Sequence, residues 1–167
     1  MPFTIRDFQP TDFETLWRID QDCFPPSISY SRAELKFYMR RRGSFTLVAT
    51  GVVGTAAKDF SATAYSNRTV AGFIVAEVDN RGSGHIVTID VVDSARRSGV
   101  GSLLLCAAED RMRAAGCRLI GLETAVDNVS ALSFYKRHGY SVIRTFPRYY
   151  SNGVDALVLE KVLEHSR

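Results

Sequence analysis

Apolar residues recur with two spacings, every second residue in some stretches and every three to four in others. Phe3 to Phe8 alternates as a strand does, and Pro10 breaks it. Thr11 with Glu14 then matches a capping box, opening a helix whose buried side is Phe13, Leu16, Trp17 and Ile19. Pro25 and Pro26 forbid its continuation past Cys23-Phe24. Ser31 with Glu34 repeats the capping pattern and opens a second short helix through Leu35, Phe37, Tyr38 and Met39, closed by Gly43. Ser44–Thr50 and Val70–Val78 are apolar runs of strand length. Between them, Gly51 to Arg68 is rich in Gly, Ala, Ser and Thr and reads as an extended hairpin connection.

The second half changes period twice more. Asp79–Gly84 is a turn, and His85–Val92 a strand. From Gly99 to about Ala115 the apolar residues Leu103, Leu104, Ala107, Ala108 and Met112 fall at helical spacing, and Gly116 stops the helix. Arg118–Thr124 is again a strand. Asp127 and Asn128 cap a helix from Val129 to His138, which Gly139 ends, and strands follow around Tyr140–Phe146 and Val154–Leu163. A strand, a helix and a strand in succession require a right-handed parallel crossover. The expected architecture is α/β, a single mixed central sheet of about seven strands flanked on both faces by about four helices. With no repeat or linker, residues 1–167 read as one domain.

Composition narrows the class. A chain of 167 residues with 46% hydrophobic and 23% charged residues is ordinary for a soluble globular protein. No apolar run approaches a membrane span, so no membrane partner is expected. The net charge of +3 is too mild to call for nucleic acid, and Arg40-Arg41-Arg42 reads as solvated surface. Cys23, Cys106 and Cys117 are widely spaced and odd in number, as in reduced thiols of a cytoplasmic protein. Cys106 and Cys117 read as packing residues. No set of His, Cys or carboxylates has metal-ligand spacing, so no metal is expected.

The candidate chemistry centres on one junction. The strand ending in Ile89-Asp90-Val91 turns through Arg96-Arg97-Ser98-Gly99-Val100-Gly101 into a helix beginning near Ser102. Glycine allows close backbone approach, and the first turn of a helix has unpartnered N–H groups at the positive end of its dipole. With two guanidinium groups beside them, these donors suit a phosphate or pyrophosphate. The dinucleotide fingerprint is absent because Leu104 stands at its third glycine, and no Lys-Ser or Lys-Thr completes a Walker loop. The Arg-x-x-Gly-x-Gly segment resembles the pyrophosphate loop of the GNAT acetyltransferases. A second motif in the right order, Asn128, Ala131 and Tyr135 followed by Gly139-Tyr140, is similar to that family's Asn-x-x-Ala-x-x-x-Tyr pattern. The resemblance runs from about Val70 onward. It implies the GNAT fold and acetyl-CoA as co-substrate, held by Ile89, Asp90, Val91, Arg96, Arg97, Ser98, Gly99, Val100, Gly101, Ser102 and Asn128. It also implies that Tyr135 lies beside the sulfur and protonates the leaving thiolate.

A narrower resemblance is to the ribosomal-protein-alanine N-acetyltransferases and their N-terminal acetyltransferase relatives. It implies Glu123 as general base, with Tyr149 and Tyr150 of Arg148-Tyr149-Tyr150 and the Phe24-Pro25 turn on the substrate side. The acceptor is then a protein or peptide N-terminus. An α-amine, with an ordinary pKa of about 7.7–8.0, must lose a proton before it attacks. A backbone N–H near Val91 is placed to meet the developing oxyanion. Arg96 departs from the Gln common in that subgroup, and the 51–68 connection is longer than usual. His85 reads as a surface histidine beside a turn, with a role as base the alternative. His138 reads as a charge at a helix C-terminus, and His165 as part of the tail. Two other functions stay open, acetylation of a small amine such as a polyamine or aminoglycoside, and a non-catalytic acyl-CoA-binding module. The expected state is a monomer or weak dimer.

Overall fold

The apolar runs at 44–51 and 69–78 are buried on both faces, which puts them in the middle of a sheet rather than at its edge. The computed structural model describes residues 3–52 and 69–165. Its strands are β1 (Thr4–Asp7), β2 (Ser44–Gly51), β3 (Thr69–Val78), β4 (Ser83–Val91), β5 (Leu119–Ala125), β6 (Ser141–Phe146) and β7 (Ala156–Val162). They form one seven-stranded mixed sheet in the order β1-β2-β3-β4-β5-β7-β6. Its helices are α1 (Phe13–Cys23), α2 (Arg32–Arg40), α3 (Val100–Ala114) and α4 (Val129–Arg137). The reading of the 51–68 connection falls almost wholly outside the described residues.

Alternation along the strands sorts side chains between the two faces. Leu47, Ala49, Ile74 and Ala76 pack with Leu104, Leu105, Ala108 and Met112 of α3. Val48, Phe73 and Val75 point the other way, onto Leu16 and Ile19 of α1 and Leu35 of α2. Each such buried side chain stabilises the fold by about 1.5–3 kcal/mol, and truncating Leu104 to Ala would cost about 2–5 kcal/mol.

Three local readings change. The first helix is not capped by Thr11 and Glu14. A 3-10 turn at Pro10–Asp12 precedes it. Asp12 accepts the Gln9 N–H at 2.8 Å and takes Arg6 through two bonds of 2.7 and 2.9 Å. A forked guanidinium–carboxylate pair outcompetes a hydroxyl cap. The Ser31–Glu34 box forms as expected, with bonds of 2.7 and 3.1 Å. Tyr140, read as a strand residue, is instead buried just before β6, its ring centroid 5.6 Å from that of Tyr135.

The parallel crossover through α3 is present but brief. β4 and β5 pair only at Ser83–His85 with Leu119–Gly121. Beyond that point β5 stays with β7 along its whole length, whereas β4 stays with β3. An extra residue, Val87, sits in β4 between the pairs Ala76↔Ile86 and Val75↔Thr88, a bulge that turns the strand. The two central strands therefore fork beyond His85, and the fork positions the site.

Candidate active site

One flank of the fork is built from backbone. After β4 the chain makes a 3-10 turn at Asp93–Ala95, then passes through left-handed conformations at Arg97 (φ 60°) and Gly99 (φ 87°) into α3. The first internal bond of α3 runs from the Leu103 N–H to the Gly99 carbonyl at 3.0 Å. The N–H groups of Val100, Gly101 and Ser102 therefore have no acceptor within the helix. Gly99 stands at the cap and has no side chain to supply one. The loop expected to cradle a phosphate thus ends in N–H donors at a helix N-terminus, an arrangement chemically suited to an anion. A Cβ on Gly101 would lie 3.3 Å from the Phe134 ring, so glycine there lets α4 press against the start of α3.

The polar side chains of this flank are largely occupied in shaping it. Arg96 pairs with Asp93 at 2.9 Å and donates to the Val91 carbonyl at 3.3 Å. The Ser98 hydroxyl donates to the Ala95 carbonyl. Ser102 Oγ lies 3.0 Å from His138 Nε2, which ties α3 to α4. Burial lowers the His138 pKa below its ordinary 6.5, so the ring is neutral at pH 7 and the charge–dipole role read from the sequence gives way to this bond. Asn128 caps α4 by accepting the Ala131 N–H at 3.1 Å. Just past β4, the Val92 N–H bonds to the Ala71 carbonyl of β3 at 3.0 Å. Alternation then turns the N–H groups of Val91 and Ile89 into the fork, while the Asp90 side chain is buried away from solvent.

The other flank is built from side chains that meet across long stretches of sequence. His85, the last residue of β4 paired with β5, faces Glu123, two residues beyond its partner Gly121 on β5. His85 Nε2 lies 2.6 Å from Glu123 Oε2, and His85 Nδ1 lies 3.6 Å from Glu77 Oε1. Burial pulls the imidazole pKa down, but the hydrogen bond and charge of Glu123, with Glu77 behind, outweigh it and the net shift is upward. The hydrogen bond from His85 draws the Glu123 pKa down against its own burial, helped by the charges of His85 and Arg144. The reading of His85 as a plain surface residue is therefore corrected. Its register opposite Gly121 was the available signal, and it appears only once the parallel pairing is drawn.

Aromatic rings wall this flank. Tyr149 and Tyr150 stand 5.0 Å apart, and Tyr149 stacks on Phe146 at 6.0 Å. Burial raises both tyrosine pKa values, that of Tyr150 to about 12, and the Glu123 charge adds to each. The Ser151 hydroxyl donates to the Ser27 carbonyl at 2.9 Å, bringing the Tyr149-Tyr150 loop against the turn that holds Phe24 and Pro25. Sequence reading named both segments but not this bridge. Tyr135 lies on α4 between the flanks, 6% exposed, and burial with the nearby Asp90 and Tyr150 pushes its phenol pKa far above the ordinary range. Among the described residues, no group of three or more His, Cys, Asp or Glu is placed to hold a metal ion.

The sequence profile of the acetyltransferase (GNAT) family matches residues 13–140. The chain belongs to the GNAT family. N-alpha-acetyltransferase 30 from Schizosaccharomyces pombe is 37% identical to this GNAT chain over 102 residues, 59% of this chain and 68% of that protein. Ard1 from Thermoplasma volcanium superposes with a TM-score of 0.82 at 28% identity, covering 99% of this chain and 100% of that one. A chain in the structure of the NatC complex bound to Gag peptide and CoA superposes with a TM-score of 0.78 at 25% identity, covering 98% and 100%. Matches to curated relatives span from 21% to 68% of their own lengths. The α/β architecture of seven strands and four helices is thus the GNAT fold expected from the two motifs.

Proposed function

We propose that this GNAT protein is an acetyl-CoA-dependent N-acetyltransferase that acetylates the N-terminal α-amine of proteins or peptides by direct transfer. The observation that carries the reading is the His85–Glu123 pair at 2.6 Å, set at the crotch of the fork opposite the free N–H groups of α3. Matched N-alpha-acetyltransferases, and a matched chain from a complex bound to peptide and CoA, support a protein acceptor.

Acetyl-CoA, when bound, supplies an acyl group on a thioester and a pyrophosphate. The nest from Arg97 to Ser102 fits the pyrophosphate, and the inward N–H groups of Ile89 and Val91 fit the acyl oxygen where negative charge develops. Asn128, at the start of α4, would contact the pantetheine arm, as the resemblance implies. With His85 neutral, the His85–Glu123 pair takes one proton from the α-ammonium group, which the two then share as an ion pair. The freed amine lone pair forms the new C–N bond as the C–S bond breaks. Tyr135, whose burial keeps its phenol protonated, gives that proton to the departing sulfur. The second proton shed by the nitrogen as it becomes an amide replaces it, leaving amide, thiol and one proton on the His85–Glu123 pair. Tyr149, Tyr150 and the Phe24-Pro25 turn enclose the first residues of the acceptor. The free cysteines fit a reducing compartment, and a cytoplasmic monomer or weak dimer is part of the same proposal.

Thiol release from acetyl-CoA against short peptides tests this. The set varies the first residues and includes N-terminally blocked peptides with internal lysine, spermidine and an aminoglycoside. Turnover confined to free α-amines is expected. Turnover confined to spermidine or the aminoglycoside would replace the reading with small-amine acetylation. Tight acetyl-CoA binding without turnover on any acceptor would replace it with a binding module.

A further inference from the structure

Where α1 crosses the end of β4, two carboxyl groups are buried against each other. Asp20 of α1 is 0% exposed and Asp90 of β4 is 1% exposed. Asp20 Oδ2 accepts the Tyr30 N–H at 2.7 Å and the Gln21 side-chain amide at 3.2 Å. Asp90 Oδ1 accepts the Thr88 hydroxyl at 2.6 Å. The other two oxygens, Asp20 Oδ1 and Asp90 Oδ2, are buried and take no donor among the described residues. α1 and the end of β4 meet at this point, where Cys23 Sγ donates to the Val91 carbonyl at 3.5 Å, and the two carboxyl groups perturb each other. Two adjacent carboxylates out of water cannot both stay charged, and an orphaned buried acceptor is itself costly. A single proton between them removes both penalties.

We propose that Asp20 and Asp90 share one proton between Asp20 Oδ1 and Asp90 Oδ2, and that this protonated clasp positions the acceptor flank of the site against the acyl-binding end of β4. Asp20 holds the backbone of Tyr30, so it fixes both ends of the α1–α2 turn that contains Phe24 and Pro25. Asp90 lies between Ile89 and Val91, whose N–H groups face the fork. The clasp therefore joins two parts that must keep register for an amine to meet an acyl carbon, and neither aspartate needs to touch a reactant. Both are positioning residues.

The groups facing the pair are Cys23 and Tyr30 from α1 and the turn after it, Glu34 from α2, Arg96 from the loop after β4 and Tyr135 from α4. Arg96 is the cation among them and is already paired with Asp93. Burial, then the charge of Asp20, raises Asp90 well above the ordinary carboxylate range, and burial raises Asp20 as well. A raised carboxyl takes up a proton on folding. Its contribution is complete below the ordinary carboxylate value and is lost as pH rises through the raised one.

Asp20→Asn puts an amide donor where the shared proton lies, and Asp90→Asn does so from the other side. Melting temperatures of the wild type and both variants, taken from about pH 5 to pH 9, read the proton directly. The wild type is expected to lose stability relative to both Asn variants as pH rises, and parallel curves would overturn the shared proton. Should either variant fail to fold, the carboxyl-carbon NMR titration of the wild type decides. One aspartate titrating well above the ordinary range supports the clasp, and none doing so sinks it. The positioning role rests on the proposed acetyl transfer. Asp20→Ala is expected to raise the acceptor KM about tenfold with less change in kcat, and Asp20→Asn to recover most of that loss. An unchanged acceptor KM in Asp20→Ala overturns the positioning role. A wild type that acetylates no acceptor would overturn the proposed function while leaving the melting comparison intact.

Discussion

The two flanks of the fork solve their problems with different materials. The nest at the start of α3 is made of main-chain N–H groups aimed by left-handed residues at 97 and 99 within one continuous loop. The acceptor flank is made of side chains that meet from afar, His85 with Glu123 across 38 positions and Ser151 with Ser27 across 124. The first flank should therefore be sensitive to backbone conformation and forgiving of side-chain identity. The second should be the reverse.

The largest effect that would sharpen this contrast is expected at the acceptor flank. Glu123→Gln should lower kcat/KM by about 10²–10³-fold, and adding His85→Gln should cost little more because the pair acts as a unit. Full additivity in that double-mutant cycle would break the pairing. Tyr135→Phe should lower kcat by about 10²-fold with acetyl-CoA KM unchanged. On the backbone flank, Gly99→Val forces a β-branched residue into φ 87° and should raise acetyl-CoA KM about tenfold through misplaced N–H groups, with acceptor KM untouched.

The pH profile separates the flanks as well. Because His85 is raised above its ordinary 6.5, the acid limb of kcat/KM should lie above that value and move down in Glu123→Gln. The same pair has a signature in stability. Glu123 is depressed, so its contribution is present above its ordinary 4.5 and is lost as pH falls through its lower folded value. That of His85 is present below 6.5 and is lost as pH rises through its higher folded value. The melting-temperature gap between wild type and Glu123→Gln should thus be widest between those two ordinary values. The smallest effect is expected for Arg97→Gly. Relief of the left-handed arginine at φ 60° should stabilise the fold by about 1 kcal/mol, while loss of the guanidinium raises acetyl-CoA KM a few-fold.

The same contrast explains what could be read before the structure. The nest was legible because its glycines, arginines and helix start are neighbours in sequence, and local chemistry dictates their geometry. The strand over Ser44–Thr50 was legible as an apolar run, whereas the sorting of Leu47, Val48 and Ala49 between the two faces is seen in the structure. Glu123, Tyr149, Tyr150 and Phe24-Pro25 were named through resemblance, but no local rule gives the distance from Glu123 to His85. That distance depends on where the parallel ladder stops and on the bulge at Val87. The cap at Asp12 was misread because Arg6, on β1, reaches the carboxylate from outside the helix. Asp20 went unnoticed for the same reason. A carboxyl on the inner side of a helix shows its purpose only when Asp90 arrives beside it.

The brief β4–β5 ladder makes the sheet two plates joined along a seam of three residue pairs. The bond between His85 and Glu123 is the next stitch beyond that seam, at the point where a tear between the plates would begin. The pair proposed to move a proton thus also fastens the two halves of the sheet. A lineage that keeps the pair for its chemistry keeps the plates joined without further selection for stability.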